Sequence, residues 1–298
     1  MASIGSLATA PIKARQAGDG SGASIGFLVS LWIAMALAIA ALVTLLVVTF
    51  LDGYPRLDGP LFTAYSSEVL PESGGARAAI LGSLLVIIVT AGMAIPLGVA
   101  AAIYLEEFAD DRRWYNRLIE VNLQNLAAVP AIVYGMLTAG FALAIGLERR
   151  VVLSAAIALA LLILPVIIIT TREALRAVPG EIRQGSLALG ATPLQTVWKQ
   201  TLPSALPGVA TGTILALSRA LGEAAPLLLL GGAVTVTYDP NGLFSGFTTL
   251  PIQIFSWSGK AQTSFRELAS AAIIVLLALL LLMNALAIVI RNRYQRSW

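Results

Sequence analysis

The chain of 298 residues is too apolar for a water-soluble domain of its length, since 58% of the residues are hydrophobic and only 12% are charged. Its mean hydropathy of +0.86 is typical of membrane proteins. The net charge of +3 includes no basic block of the kind that binds nucleic acid, and the lack of His and Cys excludes disulfides and metal sites built from these residues.

Six segments are predicted to cross the membrane, because about 30 Å of hydrocarbon requires roughly 20 helical residues. They follow a polar, flexible tail at 1–24. The first segment is longer than the apolar core of a signal peptide, so it is interpreted as a retained span. Five of the six contain no charged residue. The six segments are 25–51, 78–105, 121–147, 151–171, 206 to about 236, and 268–290.

Lys and Arg residues in the connections predict the orientation, because cytoplasmic loops contain an excess of these residues. Placing the N-terminus inside gives that excess to the cytoplasmic side, with Arg149 and Arg150 as an exception outside. Both termini are therefore predicted to be cytoplasmic. We expect 25–77 to form the first helix and its outer loop, 78–291 one transmembrane domain, and 292–298 a cytoplasmic tail.

An acidic and basic stretch follows the second span. It is interpreted as a solvated loop face rather than a carboxylate metal site. Three prolines that lie within predicted spans are expected to kink their helices. The charged residues are Glu106, Glu107, Asp110, Asp111, Arg112 and Arg113, and the prolines are Pro96, Pro130 and Pro165.

The cytoplasmic connection at about 172–207 contains two helix signals. Gly190 is suited to end a helix that begins near Glu181. Thr192 is a good N-cap for a second helix, with Pro193 at its first position and Gln195 completing a capping box. The pattern predicts two short helices joined by a sharp turn, which need either lipid headgroups or a cytoplasmic partner to cover their apolar face. The residues of that face are Leu194, Val197, Trp198, Thr201 and Leu202.

The spacing of this connection resembles the EAA loop of ABC importer permeases, E-A-A-x3-G-x9-I-x-L-P. The glycine and the Leu-Pro pair are retained, whereas Gln184 replaces the acidic residue that would pair with an Arg of the ATPase. The aligned residues are Gln184, Gly185, Ser186, Gly190, Gln200, Leu202 and Pro203.

Two further motifs are similar to segments of phosphate importer permeases of the PstA type. One is LAAVPAIVYG at 126–135, and the other is RALGEAAPLL at 219–228. Together the three motifs extend the resemblance over about 78–291. The resemblance implies an all-α protein of six transmembrane helices with the type I ABC importer permease fold.

The resemblance also implies the partners and the solute. This chain would form half of the pore beside a second permease subunit of the PstC type, with a cytoplasmic ATPase dimer of the PstB type and an extracytoplasmic phosphate-binding protein of the PstS type. The chain has no GxxxxGK[ST] motif, so it is predicted to be neither an enzyme nor a cofactor-binding protein. The implied ATPase contact comprises Gln184, Gly185, Ser186, Leu189, Gly190, Ala191, Thr192, Leu202 and Pro203.

The fifth span contains a charge of each sign. A central charge costs about 2.5–3.5 kcal/mol, so Arg219 and Glu223 are expected to pair and to face the protein interior or a wet cavity. Either the pair only fixes helix packing, or Arg219 and Glu223 line the substrate path with Ser218. A stripe of small residues predicts that this helix forms the interface with the second permease. The stripe comprises Gly208, Thr211, Gly212, Ser218 and Gly222.

Other functions remain compatible with these residues. Sulfate, molybdate or a phosphonate could also bind a guanidinium, because each offers oxygens to its planar fork. A passive anion channel would lack the ATPase-docking hairpin. A membrane-embedded enzyme would use Glu223 as acid or base, but no further catalytic group in the sequence supports it.

Overall fold

The computed structural model describes residues 22–110, 112–232 and 235–294. The described residues form twelve α-helices and no β-strand. Residues 22–24 and 292–294 of the tails predicted at 1–24 and 292–298 are helical, and the rest of these tails and Asp111 lie outside the described residues. The helices are α1 (Gly22–Gly53), α2 (Gly59–Thr63), α3 (Arg77–Ile103), α4 (Trp114–Ala127), α5 (Ala131–Ala144), α6 (Val152–Arg176), α7 (Gly180–Ala188), α8 (Pro193–Thr196), α9 (Leu202–Gly222), α10 (Ala225–Leu229), α11 (Leu250–Ser258) and α12 (Thr263–Tyr294).

Two compact units divide the chain, at 1–48 and 49–298. The first contains most of α1, which is long and apolar enough to span a membrane. The second contains the other helices, and α3, α6 and α12 each meet the same criterion. These four helices confirm the spans predicted at 25–51, 78–105, 151–171 and 268–290.

Helix α6 forms the centre of the second unit. It contains no charged residue from Val152 to Thr171, and such an apolar helix is stable only when it is surrounded by protein or lipid. Leu159, Ile163 and Ile167 are fully buried along it, and α3, α5 and α9 pack around it. The central helix therefore fixes the positions of the helices that bear the predicted functional motifs.

The glycine stripe of α9 packs within this chain. A Cβ on Gly208 would lie 2.7 Å from the Cβ of Ala174, and one on Gly212 would overlap the Thr170 side chain. Both contacts are with α6. The prediction that this stripe forms the interface with a second permease is therefore wrong for these two glycines, because α6 occupies the surface that their small size leaves open.

Gly212→Ala is expected to destabilise the protein by about 1–3 kcal/mol, because the added methyl group overpacks the contact with Thr170. The measurement is the thermal unfolding midpoint of the purified protein. Gly92→Ala is the matched control, since no described atom lies within 4 Å of a Cβ at that position of α3. An equal midpoint in both variants would contradict the close packing of α9 on α6.

The segment predicted as a single span at 121–147 is two helices. The axes of α4 and α5 differ by 109°. Pro130 lies between them, and it has no backbone N–H and disfavours helical backbone at the preceding residue. In the described residues, five helices qualify alone as membrane spans, and the bent pair makes a sixth if it counts as one.

The fifth predicted span also differs from the structure at both ends. The observed helix begins at Pro193 rather than at residue 206, because a π-helical segment, Val197–Thr201, joins α8 to α9 without a break. Pro203 has no N–H to continue the α-helical hydrogen bonds. The Leu202 N–H bonds the Val197 carbonyl, five residues back, which is the π-helical pattern. At the other end α9 stops at Gly222, four residues before Pro226. Pro226 cannot donate to the Gly222 carbonyl, and α10 follows as a separate short helix.

Candidate functional site

Arg219 and Glu223 form the predicted ion pair. The Arg219 Nε lies 3.5 Å from the Glu223 Oε1, and the two side chains are 49% and 23% exposed. Arg219 occupies the last turn of α9, where a cation interacts favourably with the helix dipole. Glu223 is the residue after the helix and has extended backbone, so the pair closes the end of α9 rather than lying within a continuous helix.

The two interrupted segments meet beside this ion pair. Helix α10 packs on α5, where a Cβ on Gly135 would lie 2.6 Å from the Pro226 carbonyl oxygen. The Tyr134 hydroxyl of α5 donates a 2.7 Å hydrogen bond to the Leu126 carbonyl across the α4–α5 break. The motifs LAAVPAIVYG and RALGEAAPLL therefore pack against each other. Sequence reasoning missed this contact because it treated Pro130 as a simple kink.

Ser218 connects the site to α12. Its hydroxyl donates a 2.8 Å hydrogen bond to the Asn284 Oδ1. Asn284 was not predicted, although an amide within a run of Leu and Met residues is a usable signal. A cavity of about 330 Å³ adjoins this pair between α9 and α12. Its lining residues are Thr211, Ile214, Leu215, Asn284, Ile288 and Arg291.

The predicted cytoplasmic hairpin comprises α7, a turn, and α8. Gly190 has a φ of +84°, in the left-handed region, which glycine adopts at low cost because it has no Cβ. Its N–H bonds the Leu187 carbonyl at 2.9 Å, and the Ala191 N–H bonds the Ser186 carbonyl at 3.2 Å, which is the Schellman pattern. Thr192 and Gln195 form the predicted capping box. The local signals in this connection are therefore confirmed.

The hairpin exposes apolar side chains around its turn. Leu189 is 91% exposed, and Leu187, Leu194 and Trp198 are also exposed. No described atom lies within 4 Å of a Cβ on either Gly185 or Gly190. Such a protruding apolar turn is suited to insertion into a groove of another protein.

Other residues of the predicted contact have different surroundings. The Ser186 and Thr196 hydroxyls are 2.9 Å apart and hold the two arms of the hairpin together. Leu202 is half-buried beside Ile103 and Leu175, and it lies with exposed Pro203 at the start of α9. Exposed residues around the turn are Gln184, Gly185, Leu189, Gly190 and Thr192, and Ala191 is half-buried.

The predicted apolar face of the second hairpin helix does not exist as one surface. Val197 and Thr201 are buried, whereas Leu194 and Trp198 are more than half exposed. The two pairs lie on different sides of the helix, because residues four apart share a face whereas the neighbours Val197 and Trp198 are about 100° apart around the axis. The second helix is also continuous with α9 rather than a separate short element.

An ion-pair cluster at the end of α3 was missed. Glu106 and Glu107 lie in a π-helical segment, Tyr104–Phe108, and their side chains are only 13% and 10% exposed. The interpretation of these two residues as a solvated loop face is therefore wrong. Their partners come from distant parts of the chain, so no local spacing could reveal them. The closest contacts are Arg172 Nε–Glu106 Oε2 at 3.2 Å, Arg176 Nε–Glu106 Oε1 at 2.7 Å, Arg172 Nη1–Glu120 Oε1 at 3.1 Å and Arg183 Nη2–Glu107 Oε1 at 2.7 Å.

An ion pair joins the connection before α3 to the one before α11. The Arg77 Nη2 lies 2.6 Å from the Asp239 Oδ2, and the Arg77 Nε lies 3.0 Å from the Asp239 Oδ1. Hydrogen bonds and charge from Arg77 lower the pKa of the Asp239 carboxyl below its ordinary value. The pair therefore fixes residues 237–240 to the start of α3.

Acid is expected to release this connection. Because the pKa of Asp239 is depressed in the folded protein, the stabilisation is present at neutral pH and is lost as the pH falls through the folded pKa, below about 3.9. Hydrogen exchange at 237–239 should be faster in Asp239→Asn than in the unmodified protein at pH 7, and the difference should shrink as the pH falls through the folded pKa of Asp239. A difference that stays constant through the acid titration would contradict the role of the Asp239 charge.

Comparison with known proteins gives consistent matches. The model of the family "Binding-protein-dependent transport system inner membrane component" matches residues 94–296. The chain is 32% identical over 222 residues to the probable ABC transporter permease protein YqgI of Bacillus subtilis (strain 168), covering 74% of each chain. It is 31% identical over 249 residues to the phosphate transport system permease protein PstA of Yersinia pestis, covering 84% of this chain and 83% of the relative.

A solved structure shows the same fold. An inward-facing structure of the MetNI methionine ABC transporter superposes with a TM-score of 0.58 at 21% identity, covering 72% of this chain and 94% of the other. The likeness supports the architecture alone, and it confirms the predicted type I importer permease fold.

Proposed function

Because the chain belongs to the family of binding-protein-dependent transport system inner membrane components, we propose that it is the permease subunit of an ATP-driven importer of inorganic phosphate. It is a multi-pass protein of the inner membrane. The substrate proposal follows the similarity to PstA relatives over most of both chains. The structural observation that carries the proposal is Arg219, which is half exposed at the end of an apolar helix.

Arg219 and Glu223 together suit a transient anion site. A guanidinium offers a planar fork of donors that matches phosphate oxygens. The adjacent Glu223 carboxylate keeps the empty site close to neutral and weakens the binding of a dianion, so that the anion can leave. A pair that only fixes packing would have less reason to expose half of the Arg219 side chain.

Ser218 and Asn284 extend this proposed path along α9 and α12. The Ser218 hydroxyl donates to the Asn284 Oδ1, which leaves the amide group of Asn284 free to donate to a passing anion. The adjoining cavity contains Thr211 and Arg291 among its polar lining residues. With the predicted orientation, in which both termini are cytoplasmic, Arg291 marks the inner end of this path.

The exposed hairpin supports a transporter driven by a partner. Leu189 and its neighbours at the turn offer an apolar projection to a cytoplasmic ATPase dimer of the PstB type. ATP hydrolysis takes place in that dimer. A second permease of the PstC type completes the pore, and a phosphate-binding protein of the PstS type delivers the anion to the outer connections. A passive channel would not need such a hairpin, because no ATPase drives it.

Co-expression of this chain with permease, ATPase and binding-protein subunits of these types tests the assignment. The four components should form one complex after detergent extraction, and phosphate accumulation in proteoliposomes should require ATP. Accumulation to the external phosphate concentration without ATP would indicate a passive channel instead. Failure of the ATPase to bind the intact permease pair would contradict the proposed coupling.

A further inference from the structure

Arg183 binds three parts of the fold at once. It lies on α7, directly before the first residue of the EAA-like motif. Its Nη2 donates to the Glu107 Oε1 at 2.7 Å and to the Leu175 carbonyl at 2.8 Å, and its Nη1 donates to the Val178 carbonyl at 2.9 Å. One guanidinium therefore connects the hairpin to the end of α6 and, through Glu107, to the end of α3.

Helix α7 has one further contact with α3 and α6, because half-buried Ile182 packs against Ile103, Leu175 and Val178. None of the residues of α7, all of which the structure describes, is fully buried. Short helices ordinarily depend on a buried apolar face for their position. Here the connection to α6 passes through Val178 and Pro179, and Pro179 has extended backbone. Without the Arg183 contacts, the movement of α7 relative to α3 and α6 would be limited mainly by the packing of Ile182.

The segment that contains Glu107 is itself held by ion pairs. Glu106, next to Glu107, binds both Arg172 and Arg176 of α6, and Arg172 also binds Glu120 of α4. Movement of α3 at this end is thus shared with α6 and α4. From α4 the chain passes the Pro130 break into α5, which packs on α10 beside Glu223. These contacts form a continuous physical route from the hairpin to the proposed anion site.

We infer that Arg183 and Glu107 are positioning residues that transmit movement of the hairpin into the membrane helices. The inference rests on the proposed function, since it concerns the step between ATP hydrolysis and anion movement. It assigns to a contact within this chain a role separate from ATPase docking, which the exposed turn provides. Loss of the contact should leave the ATPase bound and should uncouple hydrolysis from transport.

The test measures phosphate imported per ATP hydrolysed in proteoliposomes that contain the full complex. Coupling energies between sites typically correspond to changes of about 5- to 150-fold. We expect Arg183→Gln and Glu107→Gln each to lower the ratio about tenfold, with the ATPase retained in the complex. Arg183→Lys keeps the charge but loses the fork, so its ratio should be intermediate.

A double variant separates transmission from general damage. If the two side chains act as one contact, the Glu107→Gln, Arg183→Gln variant should be no worse than either single variant. It also leaves no unpaired charge, so it replaces the single variants if these do not assemble. Arg113→Gln is the matched control, because it removes an exposed Arg–Asp pair and leaves the Arg183–Glu107 contact intact. The control should retain the normal ratio.

The outcomes distinguish this inference from the proposed function. If the unmodified complex fails to import phosphate with ATP, the proposed function is wrong. If it imports phosphate and Arg183→Gln keeps a normal ratio, the inference is overturned. Loss of the ATPase from an otherwise assembled Arg183→Gln complex would also overturn it, since the contact would then serve docking. Additive effects in the double variant would exclude a shared contact.

Discussion

Arg219→Gln is expected to abolish phosphate uptake nearly completely while the complex assembles normally. The substitution removes the charge and the fork that bind the anion, and it leaves Glu223 as an unpaired negative charge beside the path. Because Arg219 is half exposed, its loss leaves no large cavity. The measurement is phosphate uptake by proteoliposomes, normalised to the amount of assembled complex.

Two further variants separate charge from geometry. Arg219→Lys keeps the charge but cannot form the planar fork, so partial uptake is expected. Glu223→Gln leaves Arg219 unpaired, and we expect slower uptake because the anion is held more tightly. Normal uptake by Arg219→Gln would contradict the role of this residue in the anion path, whereas failure of that variant to assemble would indicate a packing role.

Gly190→Trp is expected to detach the ATPase or to separate hydrolysis from transport. The φ of +84° imposes a penalty of about 1–2 kcal/mol on a residue with a Cβ, and the indole adds bulk at the exposed turn. Pull-down of the ATPase on the detergent-solubilised permease pair measures docking, and phosphate uptake measures coupling.

Two further variants separate the effect of backbone strain from that of side-chain bulk. Gly190→Asn introduces a small side chain that tolerates left-handed backbone, so it should retain most of the docking. Gly185→Trp adds the same bulk on α7 without a positive φ, and no described atom opposes its Cβ. It should weaken docking if the groove approaches this face of the hairpin. Normal docking and normal transport by Gly190→Trp would remove the hairpin turn from the ATPase contact.

Features determined by neighbouring residues could be predicted from the sequence. The helix stop at Gly190 and the capping box of Thr192 and Gln195 depend on hydrogen bonds within a few residues, and the structure forms both. The pairing of Arg219 with Glu223 is similarly local. The number of apolar segments followed from hydropathy, which reports composition and is insensitive to how a segment bends.

Features that depend on distant residues could not be predicted. Hydropathy alone did not reveal the breaks at Pro130 and before Pro226, which bring α5 and α10 together. The burial of Glu107 depends on Arg183, which is far along the chain. Gly212 contacts α6 rather than a partner subunit, and a stripe of small residues does not specify which helix will cover it.

Competition between anions in ATP-driven uptake tests the central claim most directly. Labelled phosphate is supplied with the binding protein to proteoliposomes that contain the complete complex, with ATP inside or withheld and with excess unlabelled phosphate or sulfate outside. We expect uptake that requires ATP, that unlabelled phosphate suppresses and that sulfate leaves unchanged. Suppression by sulfate, or equal uptake without ATP, would contradict the assignment of this chain to an ATP-driven phosphate importer.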